Sequence, residues 1–251
     1  MHAFQICGYS KSGKTTTAEA LIRQLSAGGV AVASVKDIHF EGFGIDTEGK
    51  NTQRHRAAGA NPVVARSAGE TDFIFNGQMP LQDIVCHITA DWLVVEGYND
   101  FPLPKIVCGK TEEEVDALLD RRTFAIAGVF AAHHKEYRGI RVYNPLDAAD
   151  LIDLLRTVKS RVFPMLPYVD SACCRLCGLD CAGFIEAVIQ GEKCFADCRI
   201  GDSVVTLKVD GRELPMVPFV QRLLRNAVLG VAGELQGYRV GAPLEIEIDK
   251  R

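Results

Sequence analysis

The chain has 251 residues, of which 47% are hydrophobic and 24% charged, and this is enough apolar material for a core spread over one to three domains. Its formal charge of −4 argues against non-specific binding to nucleic acid. The N-terminal residues lack the pattern of a signal peptide, and no stretch approaches about 18 consecutive apolar residues, so we expect a cytoplasmic protein without a membrane span.

Apolar, non-alternating runs alternate with helical patterns over residues 1–162. Such runs are typical of strands in a mostly parallel sheet that helices cover on both faces. We therefore predict an α/β fold for this domain. The predicted strands lie at 3–7, 30–36, 62–66, 72–75, 92–96, 105–109 and 124–129, and the predicted helices at 14–25, 51–60, 81–88, 111–120 and 147–161.

The rest of the chain predicts two smaller parts. Residues 163–200 contain a linker with two prolines and a cysteine-rich metal domain, and residues 201–251 form a small α+β cap. In the cap, alternating strands at 204–209 and 244–249 flank a helix whose apolar residues recur every four positions. This stripe predicts a face packed on the core or, alternatively, a contact between subunits.

A phosphate-binding loop is the clearest motif. Residues 8–15 read GYSKSGKT and match the Walker A pattern between a strand and a helix. This match predicts a P-loop NTPase fold for residues 1–162 and binding of a purine nucleoside triphosphate. Gly8 and Gly13 permit the backbone angles that direct several N–H groups at one anion, and the helix N-terminus adds partial positive charge. Lys14 is expected to reach the β- and γ-phosphates, and Thr15 to bind Mg²⁺ through its hydroxyl. The other predicted phosphate contacts are Ser10, Lys11, Ser12 and Thr16.

A second magnesium partner is predicted at the end of a neighbouring strand. Glu96 follows four apolar residues, at the carboxyl edge where open α/β sheets bind ligands. It is expected to hold magnesium or position water, and its alternative is a capping or ion-pair role. Asp37, just after the second strand, competes for the same function.

Recognition of the base is open. The usual N-K-x-D motif is missing, and residues 144–147 keep its spacing with Pro145 in place of the lysine. An N-cap at Asn144 with proline at the first helical position explains the same letters.

The nine cysteines fall into two groups. Cys7, Cys86 and Cys108 lie singly in apolar stretches and are predicted to be ordinary buried residues. The other six lie between positions 173 and 198, which predicts a metal site because clustered thiolates repel one another without a soft cation. The spacing C-x-x-C-x-x-x-C and a distant fourth cysteine select Cys174, Cys177, Cys181 and Cys198.

The first 160 residues resemble the MobB family, the adaptor proteins of molybdopterin-guanine dinucleotide biosynthesis. The resemblance runs through GYSKSGKTTT, VKDIHFEGFGIDTEGKNTQRHRAAGA and VVEGYNDFPLPKI, in chain order. It implies GTP binding, a homodimer, and assistance to molybdopterin guanylyltransferase or to delivery of the cofactor to a molybdoenzyme.

The same resemblance implies a set of anion-binding residues. Lys36 and His39 match the region after the second strand of the family, and with Arg54 and Arg56 they are expected to bind phosphates or the pterin. A solvated loop or helix face is the alternative for these side chains. Asp46, Gly49 and Gly59 also match, whereas Asn51 stands where relatives tend to carry aspartate.

The cysteine segment resembles the four-cysteine iron–sulfur domain of the Rnf complex B subunit. This resemblance implies a [4Fe–4S] cluster, with structural zinc as the alternative. One residue fewer separates the second and third cysteines than in relatives, and Cys173 or Cys194 can replace an assigned ligand.

Three functions follow as hypotheses. The first is a GTP-binding accessory protein of molybdenum or tungsten cofactor maturation, with Lys14 and Glu96 supporting slow hydrolysis at most. The second is a small-molecule kinase or ATP-dependent ligase, and the third is a metallochaperone.

Overall fold

The computed structural model describes residues 1–39, 43–44, 49–97, 101–166, 177–198, 205–209, 211–214, 216, 218–237 and 244–246. The chain divides into two compact units. The first contains Met1–Leu166 and Ile185–Glu192, and the second contains Pro167–Phe184 and Lys193–Arg251.

The first unit is built on a seven-stranded sheet. Its strands are β1 (His2–Gly8), β2 (Val32–Lys36), β5 (Trp92–Glu96), β6 (Lys105–Cys108), β7 (Thr123–Ala127), β8 (Glu136–Tyr137) and β9 (Ile140–Tyr143), and a separate pair consists of β3 (Val63–Arg66) and β4 (Thr71–Ile74). The order across the sheet is β2-β5-β1-β6-β7-β9-β8. All neighbours are parallel except β8 and β9. Because β1 lies between β5 and β6, the strand order reverses there, and open α/β sheets bind ligands at the carboxyl end of the strands at such a point.

Helices cover both faces of this sheet. The helices of the chain are α1 (Lys14–Ala27), α2 (Asn51–Ala57), α3 (Leu81–Cys86), α4 (Glu112–Asp116), α5 (Ala148–Arg161), α6 (Cys181–Ile189) and α7 (Pro218–Ala232). On one face, Leu21 of α1 and Leu154 of α5 pack with Phe4 and Ile6 of β1. The opposite face has its own core, in which Val107 and Ile126 pack with Val115 and with Phe130 of the 3-10 helix Gly128–Ala132. The predicted α/β fold with a mostly parallel sheet is confirmed.

Two features of the sheet differ from the prediction. The strands predicted at 62–66 and 72–75 form the antiparallel β3–β4 hairpin outside the main sheet. The β8–β9 hairpin was not predicted, because charged residues interrupt it and leave no apolar run. Its turn contains Arg138 and Gly139, both with positive φ, as a tight hairpin turn requires. The helix predicted at 111–120 is shorter and starts after Thr111, whose hydroxyl accepts a bond from the Glu114 N–H.

The boundary of the first unit lies beyond the predicted linker start. Phe163 and Leu166 are buried, and the segment from Ile185 to Glu192 belongs to the same unit. There, Gln190 Nε2 donates to the Arg121 carbonyl at 2.7 Å, and Arg161 donates to the Ile189 carbonyl at 3.2 Å. The second half of α6 is thus anchored on the α/β unit.

The second unit contains α7 and the antiparallel hairpin of β10 (Leu207–Val209) and β11 (Arg212–Leu214). The alternating sequence pattern predicted a pairing of 204–209 with 244–249 instead. Residues 244–246 have no strand structure, and 247–249 lie outside the described residues. Leu223 and Val231 of the predicted stripe are 61% and 68% exposed, so at these positions the stripe is not core. Among the described helices, none is long and apolar enough to cross a bilayer.

Candidate nucleotide-binding site

The loop between β1 and α1 has the conformation that a phosphate-binding loop needs. Lys11 has φ 61° and Gly13 φ 96°, and such left-handed positions beside right-handed ones turn successive N–H groups toward a common point. The Ser12 N–H and hydroxyl both donate to the Tyr9 carbonyl, at 3.4 and 2.8 Å, which closes the loop on itself. The first N–H groups of α1 add donors that lack partners within the helix.

Three glycines permit a close approach of backbone at this loop. A Cβ on Gly8 would lie 2.3 Å from the Cys108 carbonyl oxygen, and one on Gly13 would lie 2.9 Å from Gly128 Cα. A Cβ on Gly128 would lie 2.3 Å from the Ser12 carbonyl oxygen, which also accepts a bond from the Val129 N–H at 3.1 Å. The turn after β7 therefore supports the loop. Gly128 was not among the predicted site residues, although a glycine directly after an apolar strand is a usable signal.

The predicted loop residues differ in their surroundings. Lys14 lies over the loop and its Nζ donates to the Tyr9 carbonyl at 2.6 Å. Ser12 is buried and its hydroxyl bonds within the loop, so it stabilises the loop rather than facing a ligand. Ser10 and Lys11 are exposed, and Thr16 is half-buried on the first turn of α1.

A hydroxyl and a carboxylate meet beside the loop. Thr15 Oγ1 donates to Glu96 Oε1 at 2.7 Å, and Lys36 Nζ lies 3.1 Å from the same carboxylate oxygen. The parallel register of β2 with β5 pairs Lys36 with Glu96, while β1 next to β5 delivers Thr15 at the start of α1. Hydroxyl and carboxylate oxygens are the ligands that Mg²⁺ prefers, so Thr15 and Glu96 fit the predicted magnesium site.

Asp37 lies next to this pair but has its own partner. Its N–H donates to the Glu96 carbonyl at 2.9 Å, whereas its carboxylate is 3.3 Å from His39 Nε2. Thus Asp37 and His39 lie at the same edge as Glu96.

Arg54 and Arg56 lie elsewhere, on α2 beside β3. Arg56 Nε donates to Asn76 Oδ1 at 3.0 Å, and Arg54 is exposed. Gly49 and Gly59 flank this helix with positive φ, and Asn51 is its first residue. Asp46 is outside the described residues.

Residues 144–147, whose spacing suggested recognition of the base, lie at the N-terminus of α5. The Asp147 carboxylate accepts bonds from the N–H groups of Ala149 and Asp150, each at 3.0 Å, and Asn144 Oδ1 accepts from the Leu146 N–H at 3.1 Å. The cap is at Asp147, three residues later than the sequence analysis placed it.

The isolated cysteines are buried in two of three cases. Cys7 and Cys108 lie in the sheet, and burial raises the pKa of the Cys108 thiol to about 12 and that of Cys7 in the same direction. The prediction for Cys86 is wrong, because it is exposed on the six-residue helix α3, of which only Leu81 is buried.

The clustered cysteines are described from Cys177 onward. Cys177 donates to the Leu179 carbonyl at 3.4 Å, Cys181 starts α6, and Cys194 and Cys198 flank the 3-10 helix Phe195–Asp197. The described residues contain no group of three or more His, Cys, Asp or Glu placed to hold a metal ion, so Cys177, Cys181 and Cys198 are not gathered. Cys173 and Cys174 lie outside the described ranges.

A mostly parallel sheet with a direction change at β1, and a strand–loop–helix turn at that point, place the chain in the class of open α/β proteins. The family described as "Molybdopterin guanine dinucleotide synthesis protein B", MobB, matches residues 3–131, slightly more than half of the chain. The chain belongs to the MobB family.

Individual relatives agree with this assignment. A Methanocaldococcus jannaschii protein named as a molybdopterin-guanine dinucleotide biosynthesis adapter is 27% identical over 99% of this chain and 98% of its own length. A Bacillus subtilis adapter of the same name is 29% identical over 62% of this chain and 92% of its own. The crystal structure of Bacillus subtilis MobB aligns 98% of its residues with 62% of this chain, at 27% identity and a TM-score of 0.53. The alignment with the Methanocaldococcus jannaschii protein thus also includes the region beyond the α/β unit.

Proposed function

We propose that this protein is a GTP-binding adapter in the biosynthesis or delivery of the molybdopterin guanine dinucleotide cofactor. Membership of the MobB family and the names of its relatives support the pathway. The observation that carries the nucleotide site is the bond from the Thr15 hydroxyl to Glu96, formed beside a loop with left-handed turns at Lys11 and Gly13.

The loop residues bind the triphosphate in this proposal. The backbone N–H groups of the loop, from Gly8 to Gly13, hold the phosphate oxygens, and Lys14 exchanges the Tyr9 carbonyl for the β- and γ-phosphates. Thr16 contacts the α-phosphate from the first turn of α1. Magnesium, held by Thr15 and Glu96, would neutralise phosphate charge; Asp37 is the further candidate ligand.

Hydrolysis is slow at most in this proposal. The Glu96 carboxylate already accepts a hydrogen bond from the Thr15 hydroxyl and lies beside the Lys36 ammonium. Because both contacts stabilise its negative charge, it is a poor base for activating water. A small-molecule kinase or ligase would instead need fast turnover with an acceptor.

The basic side chains beyond the loop are proposed to bind anionic ligands. Lys36 and His39 lie at the same edge of the sheet as the proposed magnesium ligands, and we propose that they bind phosphate groups there. Arg54 and Arg56, on α2, are proposed to bind the anionic pterin or an enzyme of the pathway.

The partners are proposed to be molybdopterin guanylyltransferase or a molybdoenzyme, and a second copy of this chain. A homodimer is supported by the β3–β4 hairpin, in which the cross-strand pair Val64 and Phe73 is 48% and 65% exposed. Two apolar side chains facing each other on one hairpin surface favour a protein contact.

The cysteine segment is proposed to carry a [4Fe–4S] cluster on Cys174, Cys177, Cys181 and Cys198, with zinc as the alternative. The spacing of the cysteines supports this proposal, in which the metal brings together Cys177, Cys181 and Cys198 from the separate positions that they have in the described residues. Visible absorbance and electron paramagnetic resonance of anaerobically purified protein test it. Exchangeable, substoichiometric metal would favour a metallochaperone.

Titration of fluorescent GTP with and without Mg²⁺ tests the nucleotide site. Thr15→Val and Glu96→Gln are expected to remove the gain in affinity that Mg²⁺ gives to the wild type, whereas Thr15→Ser, which keeps the hydroxyl, retains it.

Rapid ATP turnover with a small acceptor would instead favour a kinase or ligase. Guanylyltransferase assays with and without the wild-type chain test the adapter role, and no change in cofactor yield would count against it.

A further inference from the structure

Lys36 makes a contact that its proposed anion-binding role does not explain. Its Nζ lies 3.1 Å from Glu96 Oε1 and 3.4 Å from Thr15 Oγ1, and those two oxygens are 2.7 Å apart. The ammonium therefore contacts both side chains that are proposed to hold magnesium.

The backbone fixes this triangle of groups. Lys36 and Glu96 are register partners at the ends of β2 and β5, and the Asp37 N–H donates to the Glu96 carbonyl one residue further on. The Glu96 side chain is only 12% exposed, so its charge is poorly solvated and gains from a nearby cation. The Lys36 side chain is 54% exposed on a flexible stem and is free to turn toward a new partner.

We propose that Lys36 is a built-in counter-ion of the magnesium site, which makes binding of the metal depend on the triphosphate. A divalent cation that binds both Thr15 and Glu96 must replace the ammonium, because two cations a few ångströms apart repel each other. In this proposal the γ-phosphate is the new anionic partner of Lys36, and a nucleoside diphosphate ends one phosphate short of it. Lys36 thereby couples magnesium to GTP rather than GDP. The inference rests on the proposed role of Thr15 and Glu96.

Binding of Mn²⁺ without nucleotide, followed by electron paramagnetic resonance, is the first test. Lys36→Gln removes the ammonium, and we expect it to bind Mn²⁺ about tenfold more tightly than the wild type, a difference of ~1.4 kcal/mol. Lys36→Arg keeps the charge and is expected to remain as weak as the wild type. Lys159→Gln removes an exposed lysine at the end of α5 and controls for net charge. Equal Mn²⁺ affinity in the wild type and Lys36→Gln would overturn the inference.

The second test compares GTP with GDP in Mg²⁺. The wild type is expected to prefer GTP, and Lys36→Gln is expected to reduce the ratio of the two affinities about tenfold. An unchanged ratio would contradict the coupling. Thr15→Val separates the two failures: if it also leaves Mg²⁺-dependent binding of GTP intact, the proposed magnesium site itself is wrong. Thermal unfolding of each variant confirms that it is folded.

Discussion

At the scale of single residues, the site depends on glycines, which lack a Cβ. Gly8, Gly13 and Gly128 let the phosphate loop lie directly on the ends of β6 and β7, where a Cβ would collide with backbone. The Walker A letters made Gly8 and Gly13 predictable. Gly128 lies more than a hundred residues away, and its contact with Ser12 exists only because the sheet order places β7 beside β6 and β6 beside β1.

Substitution of Gly128 tests this packing. Gly128→Ala combines a left-handed backbone with a Cβ 2.3 Å from the Ser12 carbonyl oxygen, so we expect a loss of about 2–4 kcal/mol in the free energy of unfolding and weaker GTP binding. Gly139→Ala is the matched control, since Gly139 also has positive φ but nothing within 4 Å of its Cβ, and it should cost only about 1 kcal/mol. Urea unfolding of both variants measures the difference. Equal losses would show that Gly128 does not support the loop through close packing.

Cys108 gives the fold a dependence on alkaline pH. Burial raises its pKa from 9.0 to about 12, so the folded chain keeps the thiol proton that the unfolded chain releases. The contribution to stability is complete below pH 9 and is lost as the pH rises toward 12. We expect Cys108→Ala to be less stable at neutral pH but to lose stability less steeply, by up to about 1 kcal/mol per pH unit, between about pH 9 and 10.5. Parallel pH profiles for the variant and the wild type would contradict this account.

At the scale of elements, the apolar strands were predictable and the polar ones were not. Residues 92–95 and 106–108 are buried and form continuous apolar runs, which a sequence reveals. The edge strand β8 and its neighbour β9 contain charged residues and are too short to show a period. The site residues from β2 and β5 could be expected at one sheet edge, but their contacts depend on the register between strands, which only the structure supplies.

The N-terminus of α5 tests the assignment of Asp147. Because its carboxylate caps two N–H groups, Asp147→Ala is expected to cost about 1 kcal/mol of stability. The preference for GTP over ATP should stay unchanged, and Asp147→Ser, which restores a cap, should recover most of the stability. Chemical unfolding and nucleotide competition measure both effects. A loss of base preference without a loss of stability would return this residue to a base-binding role.

At the scale of the whole molecule, 62% of the chain aligns with nearly all of Bacillus subtilis MobB. The family could be predicted from the motifs in the first 160 residues. The arrangement of the cysteine segment could not, because α6 divides between two units: Cys181 lies in the second, while Ile185 and Ile189 are buried in the first. The periodicity of the sequence does not predict such a division.

Truncation tests that division. A chain ending at residue 192 keeps the buried Ile185 and Ile189 and the bond from Gln190 to the Arg121 carbonyl, whereas one ending at 166 loses them. We expect the shorter chain to be less stable by about 3 kcal/mol, and to bind GTP within about threefold of the longer one. The lost contacts lie at the loop preceding β7, and the phosphate loop lies at the opposite, carboxyl edge. Identical thermal stability of the two truncated chains would contradict the anchoring of α6.

The most direct test of the central claim is a titration of GTP into the wild type and Lys14→Ala, in Mg²⁺. Lys14 reaches over the loop to the Tyr9 carbonyl and is expected to transfer its charge to the phosphates, so its removal should weaken GTP binding by ~10- to 100-fold. Lys159→Ala, an exposed lysine on α5, should bind like the wild type. Equal affinity of Lys14→Ala and the wild type would show that the nucleotide, if it binds, does not bind at this loop.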